Sequence, residues 1–382
     1  RRERLMATLR GESVDRPAVN FYEIGGFKFD RSNSDPFYIY NDPSWAPLIQ
    51  LAEEETDIIR IVTPRKRTAL SNPSSELFAS ECYEKDGSRY FRTTLKVGNR
   101  TLTSLARRDP DIDTNWFIEH LLKDVDDLKA YLELPDEIFD YELDISHMFE
   151  EEKILGDAGI GMVDTPDPLC MAASLFSMED YLVIALTEQN LFHQLLEKFA
   201  RYLYPVTEYV AREFPGRHWR IYGPEYATEP YLPPRLFREY VVNYTKPMVD
   251  IINKYGGYPR IHCHGRVKNV LPYIVEMGVV AIEPLEPPPQ GDVELDWVRC
   301  EYGQDLVLMG NIEVSDIENL EPAEFEKVVI KSLRDGTSGK GKGFVLMPTA
   351  CPYSRKIRPR TMANYETMVR LAKQWSNSCG TC

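Results

Sequence analysis

His262 and His264 flank Cys263 at the end of an apolar run, residues 259–263. A β-strand sends successive side chains to opposite faces. In a strand the two imidazoles therefore share one face and Cys263 takes the other. Two imidazoles side by side begin a metal site, and Cys351, just past the apolar run 344–347, can add a thiolate. Two His and one Cys suit Zn²⁺. With three protein ligands a fourth position stays open for water or substrate, which is the catalytic pattern and not the structural one. Glu225, Glu283 and Glu286 also stand past apolar runs and are candidates for a fourth ligand or for proton transfer. Tyr22, Tyr222, Tyr226, Tyr353 and Asn311 hold similar positions and would line a pocket. Plainer roles stand beside these. A His-x-His pair can simply be hydrogen-bonded structure, a single Cys is often buried packing, the carboxylates can bind backbone, and a chain with 22 Tyr places some everywhere. Cys379 and Cys382 have metal or redox spacing but no second pair.

The elements that position these residues follow from periodicity. Eight short apolar runs read as strands: 18–22, 58–63, 159–163, 218–222, 259–263, 279–282, 306–309 and 344–347. Several are nearly continuous aliphatic runs, as strands buried on both faces should be. Amphipathic segments at 45–55, 192–213, 234–255, 266–277 and 322–336 read as helices between them. Strand–helix alternation implies a parallel sheet, and eight units imply a (β/α)8 barrel. In such a barrel the chemistry sits at the C-terminal strand ends, where each candidate above falls. The expected architecture is α/β, a TIM barrel over residues 1–375 with an insertion after the second strand and a flexible tail at 376–382. The insertion, 65–140, is expected as a lid or docking region. It contains a hairpin, 90–96 with 100–105, turning at Gly98-Asn99, and a short helix at 124–132. No Gly-x-Gly-x-x-Gly or phosphate loop supports a nucleotide-binding alternative.

Composition narrows the function. The 382 residues hold 45 Lys plus Arg against 60 Asp plus Glu, a net charge of −15. That disfavours nucleic acid, which needs a basic face. No run is apolar enough for a membrane span and the start does not read as a signal peptide. Seven scattered Cys argue against a disulfide framework and for a reduced, cytoplasmic protein.

With these residues in place, the chain resembles the uroporphyrinogen decarboxylase superfamily over nearly its whole length. The segments that carry the resemblance are residues 4–12 followed by Val14-Asp15-Arg16-Pro17, then 233–240, and 305–313 with Leu308-Met309-Gly310-Asn311-Ile312. The resemblance implies the same barrel. The decarboxylases carry an Arg-rich segment after the first strand and an Asp after the second. Here those stretches are residues 20–26, without Arg, and Thr63-Pro64-Arg65-Lys66. The other branch, the cobalamin-dependent methyltransferases that include the coenzyme M enzymes, holds zinc by His-x-Cys at the fifth strand and Cys at the eighth. His262, His264 and Cys351 match these positions, with His264 where that branch has Cys.

The resemblance therefore implies a zinc-dependent transferase. It would move a methyl group between a small methylated substrate and the cobalt of a separate corrinoid protein. Imidazole in place of thiolate leaves zinc a stronger Lewis acid, which suits O-demethylation of a methoxylated compound, aromatic ones included. Thiol methylation of the coenzyme M kind, a lyase decarboxylating a small acid, and a non-enzymatic zinc or corrinoid carrier are the alternatives. A homodimer is compatible with the resemblance.

Overall fold

The computed structural model describes residues 1–375; the expected tail and the Cys379/Cys382 pair lie outside the described residues. Eight parallel strands form one curled sheet: β1 (Ala18–Val19), β2 (Ile58–Val62), β9 (Gly159–Pro166), β10 (His218–Tyr222), β11 (Tyr258–His262), β12 (Ala281–Glu283), β13 (Val307–Ile312) and β14 (Phe344–Pro348). Their order is β1-β14-β13-β12-β11-β10-β9-β2, that of a TIM barrel opened at one seam. All eight expected runs form strands. Helices such as Trp45–Glu55, Gln189–Glu213, Pro322–Thr337 and Pro359–Gln374 pack outside.

The first strand is shorter than its apolar run. Asn20 turns the chain: its amide donates to Asp57 O at 3.0 Å and its carbonyl accepts from Tyr22 N at 2.7 Å. Tyr22 then takes φ 57°, outside the strand region. The 234–255 segment, expected as one helix, is Pro234–Phe237, a wider π turn Arg238–Val242 and Asn243–Lys254. The π turn shortly precedes Pro247, which lacks an N–H to continue the regular ladder.

The insertion leaves and re-enters through an antiparallel ribbon, β3 (Arg65–Thr68) on β8 (Tyr141–Asp144). Between them lies a four-stranded antiparallel sheet, β4 (Phe78–Lys85), β5 (Ser88–Val97), β6 (Arg100–Arg108) and β7 (Asn115–Glu119). Val97 pairs with Arg100, so the turn is Gly98-Asn99 as its chemistry requires. The two outer strands had no clear alternation because both faces of β4 and β7 are largely exposed. The following helix, Val125–Leu132, starts where Asp124 accepts from Asp127 N.

The seam between β1 and β2 is bridged at Asp57, which is fully buried. Its carboxylate accepts from Arg4 Nη1 at 2.5 Å, Arg16 Nη1 at 3.2 Å and Val19 N at 3.0 Å. Asp57 N also donates to Val19 O at 2.7 Å. Asp57→Ala would remove the carboxylate paired with Arg16 and the partner of the Val19 amide and would leave Arg4 with Asp15 alone among the described residues, so a loss of about 3 kcal/mol is expected. Urea unfolding of the two proteins checks this; a loss below about 1 kcal/mol would show that the seam is not held here.

Candidate active site

Period-two alternation along β11 brings Arg260 and His262 to the barrel interior. The chain then leaves the strand with His264 beside them. The His262 and His264 rings lie 4.6 Å apart, nearly perpendicular. Cys263 is buried in the apolar packing, as alternation requires. Each ring is held through Nδ1 by its own carboxylate. His262 Nδ1 meets Glu283 Oε1 at 3.1 Å, and His264 Nδ1 meets Glu286 Oε1 at 2.7 Å. Glu286 Oε2 also accepts from Gly265 N at 2.7 Å. A carboxylate at Nδ1 fixes the tautomer that leaves Nε2 free as a ligand, the outer arrangement found around metal-binding imidazoles.

Burial alone would raise both Glu side chains. For Glu283 the charges of Arg260 and His262 prevail and hold it well below the ordinary carboxylate range. For Glu286 the His264 hydrogen bond prevails. Burial works against a charged His264, but the bond to Glu286 and the charges of Glu286, Glu225 and Glu283 outweigh it, so His264 is raised.

The other expected residues divide. Tyr22 lies over His262, ring centroids 6.1 Å apart at 21°, and its hydroxyl accepts from Arg220 Nη1 at 2.6 Å. Glu225, Tyr226, His264 and Glu286 line one cleft of about 490 Å³, together with Tyr231, Arg266 and Met178. Tyr222 flanks Arg220, 5.9 Å from its guanidinium. Asn311 accepts from Ser332 Oγ at 2.9 Å and lines a separate small cleft against the helix Pro322–Thr337, so it is not brought to the histidines. Tyr353 is half exposed, and its backbone carbonyl accepts from Asp113 N.

Cys351 donates to Phe21 O at 3.7 Å. Burial and the Glu23 charge push its thiol well up, against the pull of the Ile24 and Glu23 amides. Among the described residues no three His, Cys, Asp or Glu side chains are grouped as a metal-holding set. The imidazole pair thus has the donors and outer carboxylates of a metal site, while Cys351 does not join it in this arrangement.

Sequence reasoning missed the charges inside the barrel. Arg220 binds Asp164 through Nε at 2.7 Å and Nη2 at 2.9 Å. Arg260 binds Glu283 at 3.0 Å. The signal was available: each Arg sits two residues before a strand-end candidate, on the same face. Glu313 was missed too. Its Oε2 accepts from Thr349 Oγ1 at 3.2 Å, its Oε1 is buried with no partner, and burial first, then the Glu286 charge, push it up to about 7. A larger cavity, about 680 Å³, lies between the helix Gln189–Glu213 and the ribbon and contains none of these residues.

The uroporphyrinogen decarboxylase (URO-D) family profile matches residues 117–375. The chain belongs to the uroporphyrinogen decarboxylase family. Among solved structures, a methyltransferase from Methanosarcina mazei superposes over 97% of both chains at 15% identity, with a TM-score of 0.58, and so shares the fold. An IOLI protein with a binding zinc atom (12% identity, 66% of this chain, 84% of that one, TM-score 0.33) is too remote to carry any argument. So is a D-psicose 3-epimerase with D-fructose (10%, 64% and 86%, TM-score 0.32). No curated protein matches the chain.

Glu313 makes stability depend on pH. Below its ordinary value of 4.5 both folded and unfolded forms are protonated, and above about 7 both are ionised. Between those values the unfolded chain releases the proton first, so stability falls as pH rises. Glu313→Gln removes this loss. Its melting temperature relative to the parent should therefore be higher at pH 8 than at pH 5, read by thermal unfolding at both. An equal difference at the two pH values would exclude a raised carboxyl at this position.

Proposed function

We propose that this family member is a zinc-dependent methyltransferase. In this reading it moves a methyl group between a small methylated substrate, with methoxylated aromatics as a class to test, and the cobalt of a separate corrinoid protein. The observation that carries the reading is the pair of imidazoles 4.6 Å apart, each fixed at Nδ1 by a carboxylate, beside a cleft large enough for a small ligand. Family membership and the fold shared with a methyltransferase support it.

His262 and His264 would hold the metal, with Cys351 the third donor if the loops after β1 and β14 bring it in. Bound zinc would supply Lewis acidity, drawing electrons from the donor atom and making its methyl group a better electrophile. The protein's own groups do the rest. Tyr226 and Tyr231 wall the cleft and hold the apolar part of the substrate. Glu225 has one oxygen on Gly223 N at 3.1 Å and stands on the cleft wall, where it can pass a proton to the leaving oxygen. Glu283 and Glu286 are committed to the imidazoles, which makes them positioning groups and not proton donors.

The inward cations also speak against a tetrapyrrole decarboxylase. Arg220 and Arg260 are each paired to an internal carboxylate, so neither is left to grip substrate carboxylates. Arg266 on the cleft wall favours the second reading, a lyase acting on a small acid.

Two measurements test the proposal. Purified protein should hold stoichiometric zinc, lost in His262→Ala and His264→Ala and reduced in Cys351→Ser; Glu286→Gln should bind zinc about 10–100-fold more weakly. Mixed with a reduced corrinoid protein and a panel of methylated compounds, the enzyme should consume cobalt(I) absorbance with at least one of them. A protein without zinc, or one that leaves cobalt(I) untouched but decarboxylates a small acid, would overturn the methyltransferase.

A further inference from the structure

Behind His262 the barrel interior holds a second charged layer. Arg260, two residues earlier on β11, has a side chain only 2% exposed. Its Nη2 forms an ion pair with Glu283 Oε1 at 3.0 Å, and its Nη1 donates to Met309 Sδ at 3.2 Å. The same Glu283 oxygen receives His262 Nδ1 at 3.1 Å. Glu283 is fully buried, and its Oε2 has no partner in the protein. One oxygen thus meets both the imidazole and the guanidinium, while the other meets no protein group among the described residues.

We propose that Arg260 is a positioning residue that pins Glu283 so that His262 keeps its proton on Nδ1 and presents Nε2 to a ligand. This deepens the reading of His262 as a zinc ligand and rests on it, but the tautomer itself needs no metal. Three points support the role. Without Arg260, the Glu283 carboxylate would be held only by His262, and a side chain with a single partner is free to rotate about it. Arg260 and Glu283 form an ion pair, so the carboxylate facing His262 Nδ1 carries its own counter-charge within the barrel. Arg220, another inward cation, makes its carboxylate bonds to Asp164 on the adjacent strand and none to Glu283.

The test is long-range ¹⁵N–¹H NMR of His-labelled, metal-free protein, paired with zinc affinity by chelator competition. The parent should show His262 with its proton on Nδ1. Arg260→Met, close in length and set beside Met309, should show mixed tautomers and zinc binding about 10–100-fold weaker. Arg260→Lys, which keeps the charge but not the fork, should recover most of the affinity. If Arg260→Met fails to fold, Arg260→Lys is compared with Arg260→Gln, and the Lys variant should lie nearer the parent in both readouts. An unchanged tautomer together with zinc affinity within about twofold of the parent in the neutral variant overturns the proposal. Failure of the zinc reading looks different: the parent would bind no zinc while its His262 tautomer still depended on Arg260.

Discussion

The fold rests on how a parallel barrel disposes of charge that water cannot reach. Asp57 shows the constraint most sharply. It is fully buried, and two guanidinium groups and a strand amide converge on it where β1 has only two residues with which to pair. Sheet hydrogen bonds alone do not join β1 to β2, so an ion cluster takes their place. A buried pair of this kind adds little over an apolar substitute, yet it is costly to break. It therefore acts as a latch: the ends of β1 and β2 have one low-energy relation, and the loop carrying Tyr22 and Glu23 starts from a fixed point.

The same rule governs the interior. Arg220 with Asp164 and Arg260 with Glu283 cancel one another layer by layer, and the layer at the mouth is the imidazole pair with its two carboxylates. Charge is thus compensated in each layer, up to the imidazoles at the mouth. Tyr22 joins the two levels, its ring over His262 and its hydroxyl on Arg220. Movement of the first loop would be felt at the imidazole through this single side chain.

The barrel was legible in the sequence because its strands are continuous aliphatic runs separated by helical periodicity, a pattern with few alternatives. The His262/His264 face was legible for the same reason: alternation along a strand is a rigid rule, and Cys263 is buried as it demands. Asn311 shows where the rule stops. Standing at a strand end does not decide which way a side chain turns, and the Ser332 hydroxyl drew it to the helix side. Glu283 and Glu286 were visible as candidates, but their commitment to imidazole was not, because cross-strand register is a property of the assembled sheet. β4 and β7 were hidden by their exposure, since strands without a buried face carry no period to read.

The ribbon of β3 and β8 has a consequence for engineering the molecule. Arg65 is directly paired with Asp144, and Thr68 with Tyr141, so the insertion departs and returns at nearly the same point. The barrel ends on either side of it are already held together. A sheet attached in this way can lengthen, shrink or be exchanged without re-threading any strand of the barrel, because a two-residue turn would span the gap it leaves. What resists such exchange is packing and not threading: Leu95, Leu102 and Leu122 of the insertion share the barrel's core cluster, and Asp113 N donates to Tyr353 O in the loop after β14.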